Sequence, residues 1–258
     1  MTSPPTIQPK FLSRGDELAV VAVGFSGGQV RSLPLPCSFL PFTGLTRPQC
    51  KPGVDAAPSA LIASGLLTQL TDDLGYTLHH DNTVHSYASI IPEADPDYRN
   101  MKRARAVSAV TRQLSQQVYE HAKEGRCVLT LGGDHSIAIG TIAGTARAIR
   151  ERLGGSEMAV VWVDAHADIN TPETSDSGNI HGMPVAFLTG LAKEERDDVF
   201  GWLEADQMIS VKKLVYIGLR DVERGEKRIL RENGIKAFSM HDIDKCVHSL
   251  PGACLCEL

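Results

Sequence analysis

The sequence predicts an α/β fold of three layers, a mostly parallel sheet with helices on both faces, and three observations carry that expectation. Short apolar runs alternate with longer segments of helical period, the pattern of strand–helix–strand units. The runs are almost continuously apolar, as in Leu18-Ala19-Val20-Val21-Ala22-Val23, which suits strands covered on both faces. Residues able to do chemistry fall directly after such runs, and in open parallel sheets ligands bind beyond the carboxyl ends of strands. At 258 residues, 42% hydrophobic and 22% charged, the chain is long enough for one sizeable domain, 1–258, of ordinary globular composition.

Taken in order, residues 18–23 form the first strand, stopped by Gly24. Residues 58–74 have helical periodicity, with Pro58 suited to a first turn and Gly75 to a stop. Residues 77–80 read as a weak strand. Over 96–123, Met101, Val107, Val110, Leu114 and Val118 recur near helical spacing on one face, up to a stop at Gly125. A strand over 127–131, a helix over 136–152 closed by Gly154-Gly155, and a strand over 159–163 follow. Farther on come a strand over 213–219, a short helix over 222–232 with a stop at Gly234, and a strand over 235–238.

Two segments break this rhythm. Residues 30–50 are Pro-rich, nearly uncharged and aperiodic, so they suit neither a regular helix nor a central strand and look inserted. Residues 246–258, CVHSLPGACLCEL, form an anomalous tail. Of six cysteines, Cys37 and Cys50 lie in the first segment and Cys246, Cys254 and Cys256 in the second; Cys127 reads as a buried strand residue. That distribution argues against a disulfide framework, and the tail lacks the paired spacing of a zinc site. The net charge of -5, with no long Lys or Arg run, argues against nucleic acid as a partner. Residues 1–17 have no apolar core of signal-peptide length and no stretch is long enough to span a membrane, so a cytoplasmic protein is expected.

Asp164-Ala165-His166-Ala167-Asp168 directly follows the strand over 159–163. In an extended chain alternate side chains point the same way, so Asp164, His166 and Asp168 are expected to converge. Gly132-Gly133-Asp134-His135-Ser136 follows the strand over 127–131 and should bring His135 to the same region. Mixed imidazole and carboxylate donors suit divalent Mn, Fe or Zn better than a thiolate set would, and an excess of carboxylates leans toward Mn2+. A polar loop continues from Asp168 to Pro184 and carries His181.

GGDHS, VDAHADIN and SGNIHGMP together resemble the arginases of the ureohydrolase family, closely over residues 125–244 and more weakly over 16–29 and 51–124. The resemblance implies a hydrolase of arginine metabolism and the urea cycle that converts L-arginine to L-ornithine and urea with two Mn2+ per site. It implies that His135 binds one ion and His166 the other, that Asp164 bridges them and that Asp168 completes the first site. Asp168 and His181 are then the catalytic candidates, His181 as a proton shuttle to the leaving amine, a role suited to an unperturbed pKa of about 6.5. Asn170, Ser177 and Asn179 match positions that hold the substrate α-carboxylate; agmatinases, whose substrate lacks it, diverge there. Glu223 and Glu226 match acids that contact the substrate amino group, with Glu223 where the family usually has Asp. As first-turn residues of a helix both also suit its N-terminal dipole. A homo-trimer or hexamer is implied as well.

After Lys245 the resemblance stops, short of the family's SxDVDxxDP motif, its two further aspartates and the acid that pairs with the guanidinium. The expectation is therefore an incomplete arginase-like domain in which four ligands shared by two ions leave each under-coordinated and turnover is defective. A non-catalytic arginase-like protein that binds a ligand or subunit is an alternative of a different class. A sister ureohydrolase acting on another guanidino compound is a third, weakened by the Ser177-Gly178-Asn179 loop. Residues 30–50 and 246–258 are expected to be translated introns: Val30-Arg31 and Lys245-Cys246 can be encoded across GT-type splice donors, and rejoining Gln29 to Lys51 restores the family's order.

Overall fold

The computed structural model describes residues 11–30 and 53–249. Strand β1 (Arg14–Val23) pairs on one edge with β4 (Arg126–Leu131) and on the other, end to end, with β2 (Thr77–His79) and β3 (Val84–His85). A second sheet runs in the order β5 (Val160–Val163), β6 (Leu214–Leu219), β7 (Lys236–Ser239). Every pairing between these strands is parallel. The helices are α1 (Ala57–Ala63), α2 (Leu66–Thr68), α3 (Ala104–Ala122), α4 (Ala138–Arg152), α5 (Pro184–Leu188), α6 (Arg224–Glu232) and α7 (Met240–Ser249).

The two-residue alternation of β1 and β4 builds the three layers. Val21 and Val23 join the large cluster that holds Val107 and Leu114 of α3 and Ile139 and Ala143 of α4, and Val128 of β4 packs on the same side. Leu18 and Val20 face the other way, with Leu70 and Leu131, against Ile62, Leu66, Leu67, Cys127 and Leu129. One sheet thus carries a helical layer on each face, as its continuous apolar strands require. The second sheet is lopsided: Val160, Trp162, Leu214 and Tyr216 face the large cluster, whereas Val161 and Val163 of β5 are 59% and 73% exposed.

Helices α3 and α4 meet closely because glycines leave room. A Cβ on Gly144 would lie 2.3 Å from the Ser115 carbonyl oxygen, and one on Gly140 would lie 2.6 Å from that of Thr111. Both positions recur on one face of α4, one turn apart.

Several expected elements have different bounds. The helix expected over 58–74 is broken by Gly65, whose φ of 92° is left-handed; α1, α2 and a wide helical turn at Gln69–Asp73 replace it. The helix expected over 96–123 begins only at Ala104, because Arg99, Asn100 and Arg103 have φ of 45°, 58° and 55°. The Asp95 carboxylate then accepts from the Arg105 and Ala106 N–H groups at 3.2 and 2.7 Å, satisfying donors the first turn leaves open. Met101 is fully buried, but from the turn before the helix. The two-residue β3 and the five-residue α5 are too short for periodicity to reveal. Cys127 is only partly buried. Helix α7 runs across residues 245–246, where the anomalous tail was expected to begin; the Asp242 carboxylate accepts from the Ser239 N–H at 2.8 Å and Ser239 Oγ accepts from the Asp242 N–H at 3.2 Å, capping its start. Residues 31–50 and 250–258, with most of both anomalous segments, lie outside the described residues.

Gly144→Ala should lower the stability of the chain by about 1–3 kcal/mol through overpacking of the α3–α4 contact. Chemical denaturation checks this, and an unchanged midpoint would contradict the close approach.

Candidate active site

His135, Asp164, His166, Asp168, Asn170, Ser177, Asn179, His181, Glu223 and Glu226 all line a single cavity of about 570 Å³. Of the six further lining residues, four carry polar side chains that the sequence did not nominate, Gln29, Ser175, Arg220 and Asp221. Gln29 and Arg220 follow the ends of β1 and β6, so the strand-end rule could have nominated them.

At the end of β4 the GGDHS segment folds around its own acid. The Asp134 carboxylate is 1% exposed residue for residue, and its Oδ1 accepts from the Ser136 N–H at 2.9 Å while Oδ2 accepts from the Gly28 N–H at 2.7 Å. Gly133 is required here, since a Cβ would lie 1.8 Å from the Phe25 carbonyl oxygen. That oxygen accepts from the Asp134 N–H at 3.0 Å, fastening the end of β1 to the end of β4. His135 is thereby aimed across toward β5.

At the end of β5 the chain does not stay extended, which corrects the expected alternation. Asp164 Oδ1 accepts from the His166 N–H at 3.0 Å, an Asx-type turn, and Asp168 takes a left-handed φ of 47°. Asp164 and Asp168 still converge, but on His135: its Nδ1 lies 3.0 Å from Asp164 Oδ2 and 2.7 Å from Asp168 Oδ2. His166 stands apart from this trio, with Nδ1 3.5 Å from Asp164 Oδ1 and Nε2 3.7 Å from Asp221 Oδ2.

Among the described residues, His135, Asp164 and Asp168 are the group able to hold a metal ion, their donor atoms within 4.8 Å of one another. The donor set fits such an ion. Two carboxylates and an imidazole are borderline-to-hard ligands, and between them they carry an excess of negative charge. The hydrogen bond to Asp168, with the charges of Asp168 and Asp164, holds the His135 imidazole above its ordinary pKa despite the opposing effect of burial. Positive charge is favoured at this position, and a divalent cation would be favoured more strongly.

The following loop is held by its backbone. Tyr216, fully buried, donates its hydroxyl to the Ala167 carbonyl at 2.8 Å, the Asp168 carbonyl accepts from the Val185 N–H at 3.0 Å, and the Asn170 N–H donates to the Gly182 carbonyl at 3.0 Å. His181 Nδ1 lies 2.9 Å from the Gly28 carbonyl. A carbonyl can only accept, so Nδ1 carries the hydrogen and the neutral ring keeps its lone pair on Nε2. Asn179 Oδ1 accepts from the Val30 N–H at 3.1 Å, and Ser177 Oγ accepts from the Asn179 N–H at 3.2 Å. The Asn170 amide donates one hydrogen to Glu223 Oε2 at 3.0 Å, and its Oδ1 accepts from Thr174.

Glu223 and Glu226 form a reciprocal capping box at the start of α6. Glu226 is buried, with Oε2 accepting from the Glu223 N–H at 3.0 Å and Oε1 from the Ile169 N–H at 3.2 Å. Burial pushes its carboxyl above the ordinary range, partly opposed by those two donors. Glu226 therefore ties the start of α6 to the loop that leaves Asp168.

The family model for the arginase family matches residues 38–249. The arginase of Neurospora crassa is 67% identical over 245 residues, covering 95% of this chain and 62% of that protein, so the chain spans less than two thirds of that relative's length. The crystal structure of Bacillus subtilis arginase superposes with a TM-score of 0.68 at 33% identity, covering 89% of this chain and 66% of that one. Entamoeba histolytica arginase in complex with L-ornithine does so with a TM-score of 0.68 at 27% identity, covering 91% and 68%.

In metal-free protein, the raised pKa of His135 stabilises the fold most below about pH 6.5, and that stabilisation is lost as pH climbs through the folded-state value. Melting temperature after chelation should therefore fall from about pH 6 to about pH 8 by more in the parent chain than in His135→Gln. Equal slopes would contradict this assignment.

Proposed function

The chain belongs to the arginase family, and from that premise we propose that its site serves the hydrolysis of L-arginine to L-ornithine and urea. The observation that supports this reading best is that a carboxylate–imidazole cluster, a tautomer-fixed histidine and the Ser177–Asn179 loop line one cavity. The Entamoeba relative solved with L-ornithine is in keeping with that product.

The arginase family is metal-dependent, and His135, Asp164 and Asp168 would hold one divalent ion, Mn2+ in this reading, with Asp164 and His166 toward a second. Metal in this place would lower the pKa of water enough to make hydroxide available near neutral pH, which a poorly electrophilic guanidinium carbon needs. His181, its Nδ1–H spent on Gly28, offers Nε2 to carry a proton to the departing amine. The Ser177 hydroxyl hydrogen, the Asn179 amide donors and the second Asn170 amide hydrogen have no protein acceptor among the described residues, so all three residues are suited to an α-carboxylate. With its other amide hydrogen Asn170 also orients Glu223 as an acceptor for the substrate ammonium, and Glu226 holds that arrangement at the helix start. Glu223 in place of the family's usual Asp adds a methylene, which the bond to Asn170 restrains. The same reading includes a cytoplasmic homo-trimer or hexamer without nucleic acid as a partner; no helix among the described residues is long and apolar enough to cross a membrane.

Three donors serve the first ion against two for the second, so manganese titration should resolve one tighter and one weaker site. His135→Ala should abolish the tighter and His166→Ala only the weaker. A single class of site removed equally by both changes would contradict the division.

Whatever the absolute rate of urea formation with Mn2+, kcat/KM for L-arginine should exceed that for agmatine by at least about 10²-fold, since a site built for a carboxylate leaves its donors unpaired with the analogue. His181→Ala should lower kcat by about 10²–10⁴-fold while metal content stays unchanged. Comparable turnover of agmatine would remove the substrate assignment, and metal loss in His181→Ala would remove the shuttle assignment.

A further inference from the structure

We propose that Asn100, on a turn that touches no reacting atom, is the positioning residue of the loop that reads the substrate's carboxylate, and so controls specificity; this rests on the arginine reading above. Tyr98 and Met101 exchange backbone hydrogen bonds of 2.9 and 2.8 Å, closing a turn whose two central residues, Arg99 and Asn100, have φ of 45° and 58°. Positive φ at both central positions is type I′ geometry, easy for Asn and unfavourable for Arg. Such backbone persists only where its surroundings fix it. Here Arg99 is gripped from two directions, by Glu173 at 2.7 Å and by Glu194, itself 3% exposed at the side chain, at 2.7 Å. Met101 is fully buried on the other side.

Besides the Arg99–Glu173 pair, the turn is fastened to the loop in three places. The Asn100 amide donates one hydrogen to the Pro172 carbonyl at 2.9 Å and the other to the Ser175 carbonyl at 2.8 Å. The Lys102 N–H donates to the Gly178 carbonyl at 2.9 Å. Gly178 has φ of 69°, and a Cβ there would lie 2.6 Å from the Asn100 carbonyl oxygen, so the two backbones are in contact. The segment between those anchors carries Ser177, and Asn179 follows it; the Ser175 hydroxyl oxygen accepts from the Gly178 N–H at 3.1 Å, passing the constraint from Ser175 to the residues that line the cavity. One planar amide with two hydrogens bridges two carbonyls. Neither a carboxylate, which repels them, nor a glycine, which leaves them unpaired, can do so.

Asn100→Gly keeps the left-handed φ available and removes only the donors, and Asn100→Asp keeps the shape and reverses the polarity. Hydrogen exchange of the 258-residue chain should be at least about tenfold faster over residues 170–182 in both variants and unchanged over β1 and α4. With manganese present, affinity for L-arginine should fall by about tenfold or more while affinities for agmatine and for manganese stay as in the parent chain. Parent-like exchange in Asn100→Gly overturns the proposal. So does an equal loss of L-arginine, agmatine and manganese binding, which would mark Asn100 as merely structural. A parent chain that does not prefer L-arginine to agmatine overturns the arginine reading and the carboxylate role with it, and the exchange arm still decides whether Asn100 holds the loop.

Discussion

Two carboxylates placed within 3.0 Å of one imidazole nitrogen are the constraint around which the site is arranged. Asp164 and Asp168 repel each other unless a positive charge lies between them. Protonation of His135 would supply that charge, and the hydrogen bond to Asp168 with the charges of both acids accordingly raises the imidazole above its ordinary pKa. The acids cannot relax apart, because each is fixed through its backbone. The Asp164 N–H donates to the Ile217 carbonyl at 3.1 Å, and Asp168 is locked at a left-handed φ with its carbonyl engaged by Val185. A cluster that is strained by its own charge and prevented from spreading favours a small divalent cation.

The rest of the site is connected to that cluster by buried acids that do not face it. Asp134 joins the ends of β1 and β4 and receives the Gly28 N–H; the Gly28 carbonyl in turn sets the tautomer of His181. Glu226 joins the start of α6 to the loop after Asp168. In both cases a carboxylate acting as acceptor for backbone N–H groups keeps two elements at a fixed separation. The histidine proposed to move protons and the acids proposed to hold metal are thus parts of one hydrogen-bonded frame.

Much of this was legible in the sequence because it depends on strands. Continuous apolar runs gave β1, β4, β5 and β6 nearly in place, and the rule that ligands gather at strand ends located the cavity. The differences arise where side chains compete with the backbone pattern. Asp164 turns the chain by accepting from the His166 N–H, so period-two alternation ends at Asp164 instead of continuing to Asp168, and His166 stands aside. Asp95 caps α3 from outside, and the positive φ of Arg99, Asn100 and Arg103 cannot be inferred from residues that are ordinary helix formers or neutral there. By its position alone, apart from the resemblance that nominates it as a substrate contact, Glu226 reads as a first-turn acid of a helix. Only the fold reveals that it is buried against Ile169.

The central claim is that a divalent cation replaces a proton at this cluster. Calorimetric titration of Mn2+ near pH 6.5, run in two buffers of different ionisation enthalpy, counts the protons expelled on binding. The account predicts release of a substantial fraction of one proton per tightly bound ion, and none when His135 is replaced by Gln. Manganese binding with no proton released, or with the same release in the His135 variant, would contradict it.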